Sequence, residues 1–207
     1  MPIRLLGLVL ILALPLSAQI NFSYPDFSST NDLSLQGNYL LETGPGASLH
    51  VTDLFAGTGS VFRTQRVPVT AGFDTTFSFS ISGWLPFDSG AWGLALVIHH
   101  DPAGAGFLGS RAPFRVQGWN GVGGAVVISF STADVGEDEF FVTFQNSEVE
   151  IRTRGANAIT LPTTNPPVAT VPTTSMVGGP HTGRVRYLPG SGGAPGVLEV
   201  YVNDLTV

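Results

Sequence analysis

Apolar and polar residues alternate with a period of two along most of the chain after residue 19, and helical periodicity is hard to find there. The clearest case is Asp74–Ile81, where Phe77, Phe79 and Ile81 alternate with hydroxyl side chains. Because successive side chains of a strand point to opposite faces, these three residues are predicted to face a core. The segment Val197–Val202 is apolar except at its Glu residue and is predicted to be an interior strand.

Eight further segments have the composition and length of strands, and breaks rich in Gly, Pro and Asp separate them. They are Ile20–Phe27, Leu49–Leu54, Ser60–Arg66, Ala91–Ile98, Ala125–Ser131, Phe140–Phe144, Glu148–Thr153 and Gly183–Leu188. Many short strands with turn signals and no helices predict an all-β chain, a two-sheet antiparallel β-sandwich of the jelly-roll kind.

Leu161–Pro180 interrupts this pattern with five prolines and five threonines. Such a composition is typical of extended linkers. Strand-like sequence resumes at His181, however, and too little chain follows for a second domain. We therefore predict a long loop inside one sandwich.

The N-terminal stretch predicts export. Arg4 precedes the twelve-residue run Leu5–Leu16, which is apolar apart from Gly7, and Ser17-Ala18 supplies small residues before Gln19. This is the layout of a secretory signal peptide, and the run is shorter than the ~20 residues that span a bilayer. We predict a signal peptide at residues 1–18, one domain at residues 19–207, no membrane span, and a secreted or cell-surface protein.

Composition excludes several classes of function. The 207 residues include nine Arg, no Lys and 15 acidic residues, for a formal net charge of −6. Scattered arginines in an acidic chain argue against nucleic acid as a partner. The chain has no cysteine, which excludes a disulfide scaffold and a Cys-based zinc site. An exported chain without cysteine indicates a bacterial type of secreted protein.

His99-His100-Asp101 is the first candidate for chemistry, as a metal cluster or as part of a hydrolytic triad. Neighbouring strand residues point to opposite faces, so the two histidines are poorly placed to share one ion. The chain also has no Gly-x-Ser-x-Gly nucleophile motif. The preferred interpretation is a polar strand end that leads into a turn.

Glu148 and Glu150 are the second candidate, because alternate strand residues place two carboxylates on one face about 7 Å apart. Such a pair is used in glycoside hydrolysis. The Glu-x-Asp-x-x-Glu signature of sandwich glucanases is absent. We therefore predict a solvated strand face, with Arg152 and Arg154 on the same side, and no enzymatic activity.

Several blocks together resemble a known family. The most specific block is Ala71–Phe79, and the other blocks occur along the chain in the same order as in the family. These others are Phe22–Phe27 with Leu33–Asn38, Gly59–Phe62 with Pro68-Val69, Gly93–Ile98 with His100–Pro102, His181–Tyr187 and Leu198–Tyr201. The chain from about residue 20 to its end resembles the bacterial branch of the legume-type (L-type) lectins, in the concanavalin A-like superfamily. The resemblance implies a flattened jelly roll whose loops hold a sugar beside a calcium and a transition metal.

The same comparison predicts that the family's metal site is lost. Where the family has a sugar-binding Ala-Asp-Gly turn, this chain has Ala91-Trp92-Gly93. Where the family has Glu-Phe-Asp-Thr, this chain has Ser129–Thr132, and Glu137–Gln145 contains no histidine ligand. The family's glycine-rich loop is replaced by Ser110–Arg115. Calcium requires ionised carboxylates that serine cannot supply, so we predict no metal and no cofactor at that site.

Five loop residues are the carbohydrate-binding candidates. Aromatic faces pack against the apolar C–H faces of sugars, and an amide both donates to and accepts from hydroxyls. These properties favour Trp92, Trp119 and Asn120; the alternative is that either tryptophan fills the core. His100 and Asp101 are candidates for the rim, because the resemblance places the family's ligand loops nearby.

The leading hypothesis is a secreted, non-catalytic lectin-like module with a glycan partner and a metal-independent site. The alternative is a structural or adhesion module of a larger bacterial surface protein that has lost its sugar site. The family also has a final strand after the Leu198–Tyr201 block. Its absence before Val207 predicts either a fragment or an open sheet edge near Ile20–Phe27. Dimerisation by sheet extension is allowed but not required.

Overall fold

The described residues of the computed structural model contain fourteen strands and one 3-10 helical turn. The structure describes residues 21–37, 39–43, 46–51, 59–81, 93–102, 104–106, 124–131, 134–135, 142–143, 147–154 and 168–206. The strands are β1 Leu33–Gly37, β2 Leu40–Leu41, β3 Leu49–His50, β4 Gly59–Arg63, β5 Phe73–Ile81, β6 Gly93–His99, β7 Ala125–Ser131, β8 Asp134–Val135, β9 Val142–Thr143, β10 Ser147–Arg154, β11 Ala169–Thr173, β12 Gly178–Leu188, β13 Val197–Val202 and β14 Leu205–Thr206. The 3-10 turn is Gly104–Gly106.

Two antiparallel sheets of four strands carry the fold. Sheet I has the strand order β11-β10-β7-β6, and sheet II has the order β14-β13-β12-β5. Three further antiparallel pairs join β1 to β4, β2 to β3 and β8 to β9. The predicted all-β sandwich of the jelly-roll kind is confirmed.

The core lies between the two sheets. Phe77 and Phe79 of β5 pack on Phe130 of β7, with ring centroids 5.6 and 5.4 Å apart. The predicted inward alternation of β5 is also confirmed, because Ile81 is buried while the hydroxyl residues between the aromatics are exposed. The predicted interior strand Val197–Val202 has its own buried residues on the same core. Burial of each such side chain contributes about 1.5–3 kcal/mol.

The predicted strand Ile20–Phe27 is wrong over its described part, because residues 21–27 form no strand. Pro25 lacks the N–H that a strand ladder needs. Phe27 has a φ of 47°, which is far from the extended conformation. The Tyr24 ring instead stacks on Phe27, and the Arg63 guanidinium lies over the Phe22 ring.

The predicted long loop Leu161–Pro180 is wrong in its second half, where β11 forms and β12 begins. Val171 pairs with Val149 of β10, so partners distant in sequence order this Thr- and Pro-rich stretch. Pro172 is compatible with a strand there because β11 is the last strand in the order of sheet I. The buried Met176 N–H then donates to the Ser147 hydroxyl at 2.8 Å.

Other predicted strands begin or end within a few residues of the observed ones, and Ala125–Ser131 agrees at both ends. The strand predicted at Leu49–Leu54 ends at His50 in the described residues, and residues 52–54 lie outside them. Only residues 142–143 of the segment Phe140–Phe144 are described. The predicted signal peptide also lies outside the described residues. Within them, no helix has the length and apolarity needed to cross a membrane.

Candidate functional site

The outer face of sheet I, which points away from the core, carries a buried polar row. In β7, Ile128 and Phe130 pack in the core, so Ser129 between them projects from the opposite face. Ser129 is nevertheless only 7% exposed. It stands opposite Ala95 of β6 on one side and Glu150 of β10 on the other.

Glu150 is the most buried charged residue of this row. Its exposed fraction is 2%, and Glu148, two residues earlier on the same face, is half-buried. The intervening Val149 belongs to the core, which fixes both carboxylates on the outer side. The prediction of a solvated strand face is therefore wrong at Glu150. The burial of Glu150 has a tertiary cause, because alternation along one strand does not show which other segments cover the outer face of the sheet.

The Ser129 hydroxyl has an unusual environment. Among the described residues its Oγ is buried without a hydrogen-bond partner. A buried hydroxyl in this state costs about 1–3 kcal/mol. Ser131, the other serine that the sequence resemblance aligns with a metal-ligand position, stands opposite Glu148. Carboxylates are thus present on β10, but the described residues contain no group of three or more His, Asp or Glu arranged to hold a metal ion.

The end of β6 carries two of the predicted binding residues. His100 is exposed and Asp101 is half-buried in the turn that follows the strand. The His100 N–H donates to the Gly124 carbonyl at 3.0 Å, and the Gly104 N–H donates to the Asp101 carbonyl at the same distance. The 3-10 turn Gly104–Gly106 then packs against β1 and β4.

His99 faces a different environment from His100. Its ring meets the Phe62 ring edge-on, with centroids 5.1 Å apart, and its Nδ1 accepts the Asp101 N–H at 3.2 Å. Burial lowers the pKa of His99 below its usual range, although the nearby Asp101 opposes that shift. Because Nδ1 is an acceptor here, the neutral ring carries its proton on Nε2.

The predicted binding residues do not all adjoin the same end of β6. Trp92, Trp119 and Asn120 lie outside the described residues. Trp92 precedes Gly93, the first residue of β6, whereas His100 follows its last residue. Seven residues at 3.3 Å each make this strand roughly 20 Å long. His100 and Asp101 are therefore separated from the Gly93 end by more than the length of one monosaccharide.

Comparison with known proteins supports the fold. No protein family matches the chain, and no curated protein sequence matches it. Among solved structures, it is similar to the carbohydrate recognition domain of Emp46p in a metal-free form, with 14% sequence identity and a TM-score of 0.63. The match covers 86% of this chain and 73% of that one. At this identity the likeness establishes a shared lectin-type sandwich fold.

Proposed function

We propose that this chain is a secreted, non-catalytic carbohydrate-binding module of the L-type lectin kind. The observation that carries the proposal is the sandwich fold, which is similar to that of the carbohydrate recognition domain of Emp46p over 86% of this chain. The resemblance of Ala71–Phe79 to the family's most specific block supports it independently. That block forms β5, whose aromatic side chains occupy the core.

The sugar is bound in this proposal by loop side chains without a metal. Trp92 and Trp119 supply aromatic faces, and Asn120 supplies an amide. His100 and Asp101 form a second contact region at the far end of β6, where His100 is exposed. A glycan of several sugar residues is the expected ligand, because His100 follows a strand about 20 Å long that Trp92 precedes in the sequence.

The alternative is a structural or adhesion module of a larger surface protein with no sugar site. The burial of Ser129 and Glu150 favours this alternative, because it closes part of the outer face of sheet I to ligands. A protein partner would then be recognised by exposed surfaces elsewhere on the sandwich.

Glycan-array binding by the chain from Gln19 onwards, with and without EDTA, tests the proposal. Binding that survives EDTA and is lost in Trp92→Ala or Trp119→Ala is the expected result. Binding abolished by EDTA would refute metal independence. A chain with a β-type circular dichroism spectrum that binds no glycan would favour the adhesion module. Val168→Ala, at an exposed residue that immediately precedes β11, is the control variant.

A further inference from the structure

The hairpin of β2 and β3 brings three metal-ligating side chains together. Leu40 pairs with His50 and Leu41 pairs with Leu49. The pairing continues past β2, where the Glu42 N–H donates to the Ser48 carbonyl at 3.0 Å. Ser48 and His50 are two residues apart and therefore project from the same face of their strand.

The donor atoms of these side chains form a small triangle. Ser48 Oγ lies 2.9 Å from Glu42 Oε2 and 3.1 Å from His50 Nε2. His50 Nε2 lies 3.4 Å from Glu42 Oε2. An ion placed just above this triangle would be about 2.0–2.1 Å from all three atoms, which matches the bond lengths of zinc to nitrogen and oxygen.

We propose that Glu42, Ser48 and His50 form a surface site for a divalent transition-metal ion such as Zn²⁺ or Cu²⁺, with water in its remaining positions. The donor set selects this class, since imidazole suits zinc, copper and nickel. Calcium is disfavoured because it takes six to eight oxygen ligands. The site is separate from the family positions on β7, and the inference does not rest on the proposed carbohydrate binding.

The proton balance of the site is simple. The Ser48 hydroxyl donates to Glu42, and the imidazole Nε2–H can donate to Ser48. A bound ion takes the Nε2 lone pair of the neutral His50 ring, whose single proton then sits on Nδ1, while the Ser48 hydroxyl keeps its proton and stays neutral. Hydrogen bonds from Ser48 and His50 lower the pKa of the Glu42 carboxyl, which keeps it in the ionised form that a metal needs.

The site is accessible and would tie two strands together. The His50 and Glu42 side chains are 46% and 54% exposed, so an ion can reach them from solvent. Glu42 directly follows β2, whereas His50 ends β3. Both strands have only two residues. An ion that binds only the folded hairpin would therefore stabilise it by mass action.

Zinc titration of the chain from Gln19 onwards tests the proposal, with calorimetry for affinity and NMR of the histidine rings for location. The expected result is one zinc per chain and a shift of the His50 ring signals. His50→Ala should weaken binding by at least about tenfold, because even the outer partners of metal ligands are worth about 10–100-fold. Glu42→Gln should also weaken it. His100→Ala, which removes an exposed histidine elsewhere, is the matched control and should bind as the parent does.

Three outcomes would overturn the proposal. They are no zinc binding at millimolar concentration, equal affinity in the parent and His50→Ala, and loss of binding in His100→Ala. The result is distinguishable from a failure of glycan binding: the His50→Ala variant should retain its glycan-array signal.

Discussion

Arg184 clamps Asp74 across sheet II through two contacts, Nε to Oδ1 at 2.9 Å and Nη2 to Oδ2 at 2.5 Å. The residues are 110 positions apart in sequence and lie diagonally across the β12–β5 pair, where Arg184 stands opposite Thr76. Planar guanidinium and carboxylate groups match in such a two-point pair, which adds directional specificity. The clamp therefore reinforces the register of the strand whose aromatics fill the core.

Asp74→Asn should lower stability modestly near neutral pH. Arg184 lowers the pKa of Asp74, so the pair stabilises the folded state above the ordinary carboxyl pKa and loses that effect as the pH falls through the folded-state value. Urea unfolding should show a small decrease in midpoint for the variant at pH ~7, and a progressively smaller one as the pH falls below the ordinary carboxyl pKa of about 3.9. Both side chains are 44% exposed, so about 1 M salt should shrink the difference. A difference independent of pH would contradict this explanation.

Phe130→Ala should destabilise the sandwich by about 3–5 kcal/mol. Phe130 is fully buried and contacts both Phe77 and Phe79 of the opposite sheet, so truncation leaves a cavity between the sheets. Urea unfolding monitored by circular dichroism measures the change. Val168→Ala is the control, since Val168 is 68% exposed and should change stability by less than about 0.5 kcal/mol.

Two buried serines should respond to alanine in opposite directions. Ser147 accepts the buried Met176 N–H, so Ser147→Ala leaves that donor unsatisfied and should cost about 1–3 kcal/mol. The Ser129 Oγ is buried without a hydrogen bond in the described structure, so Ser129→Ala should be neutral or stabilising by up to about 1 kcal/mol. Equilibrium unfolding of both variants decides the point. Equal destabilisation by the two substitutions would show that the Ser129 hydroxyl makes a hydrogen bond that stabilises the fold as much as that of Ser147.

His99 should make stability fall on acidification. Burial lowers its folded-state pKa, so the unfolded chain binds the proton more readily, and stability decreases as the pH falls below about 6.5. The midpoint of thermal unfolding should drop between pH ~7 and pH ~5. The drop should be smaller in His99→Gln, which cannot titrate. NMR titration of the His99 ring is the direct check, and it should give an apparent pKa below the usual range. An unshifted pKa would contradict the explanation that burial disfavours the charged form of this ring.

Local patterning predicted the sandwich well because strand alternation reports burial on one face. Phe77, Phe79 and Ile81 face the core as their spacing required, and Val197–Val202 forms an interior strand. The same reasoning failed at residues 21–27, where one proline and the positive φ of Phe27 outweigh an apolar composition.

The metal-ligating triangle on the hairpin was missed by sequence analysis, although one signal for it was present. The sequence Thr43-Gly44-Pro45-Gly46 is typical of a break between strands; Glu42 directly precedes it and Ser48 follows it by two residues. Their convergence with His50 depends on the register of β2 and β3, which a two-residue pairing does not reveal in advance.

The sequence by itself determined the class of fold, the inward faces of the longer strands and the presence of hydroxyl side chains at Ser129 and Ser131. Only the tertiary structure decided that Glu150 is buried and that Ala169–Thr173 joins a sheet. It also decided that His100 and Gly93 lie at opposite ends of one strand. The physical reason is the distance in sequence over which the interactions act. Alternation is a property of neighbouring residues, whereas strand pairing and the burial of a sheet's outer face depend on segments far apart in the chain.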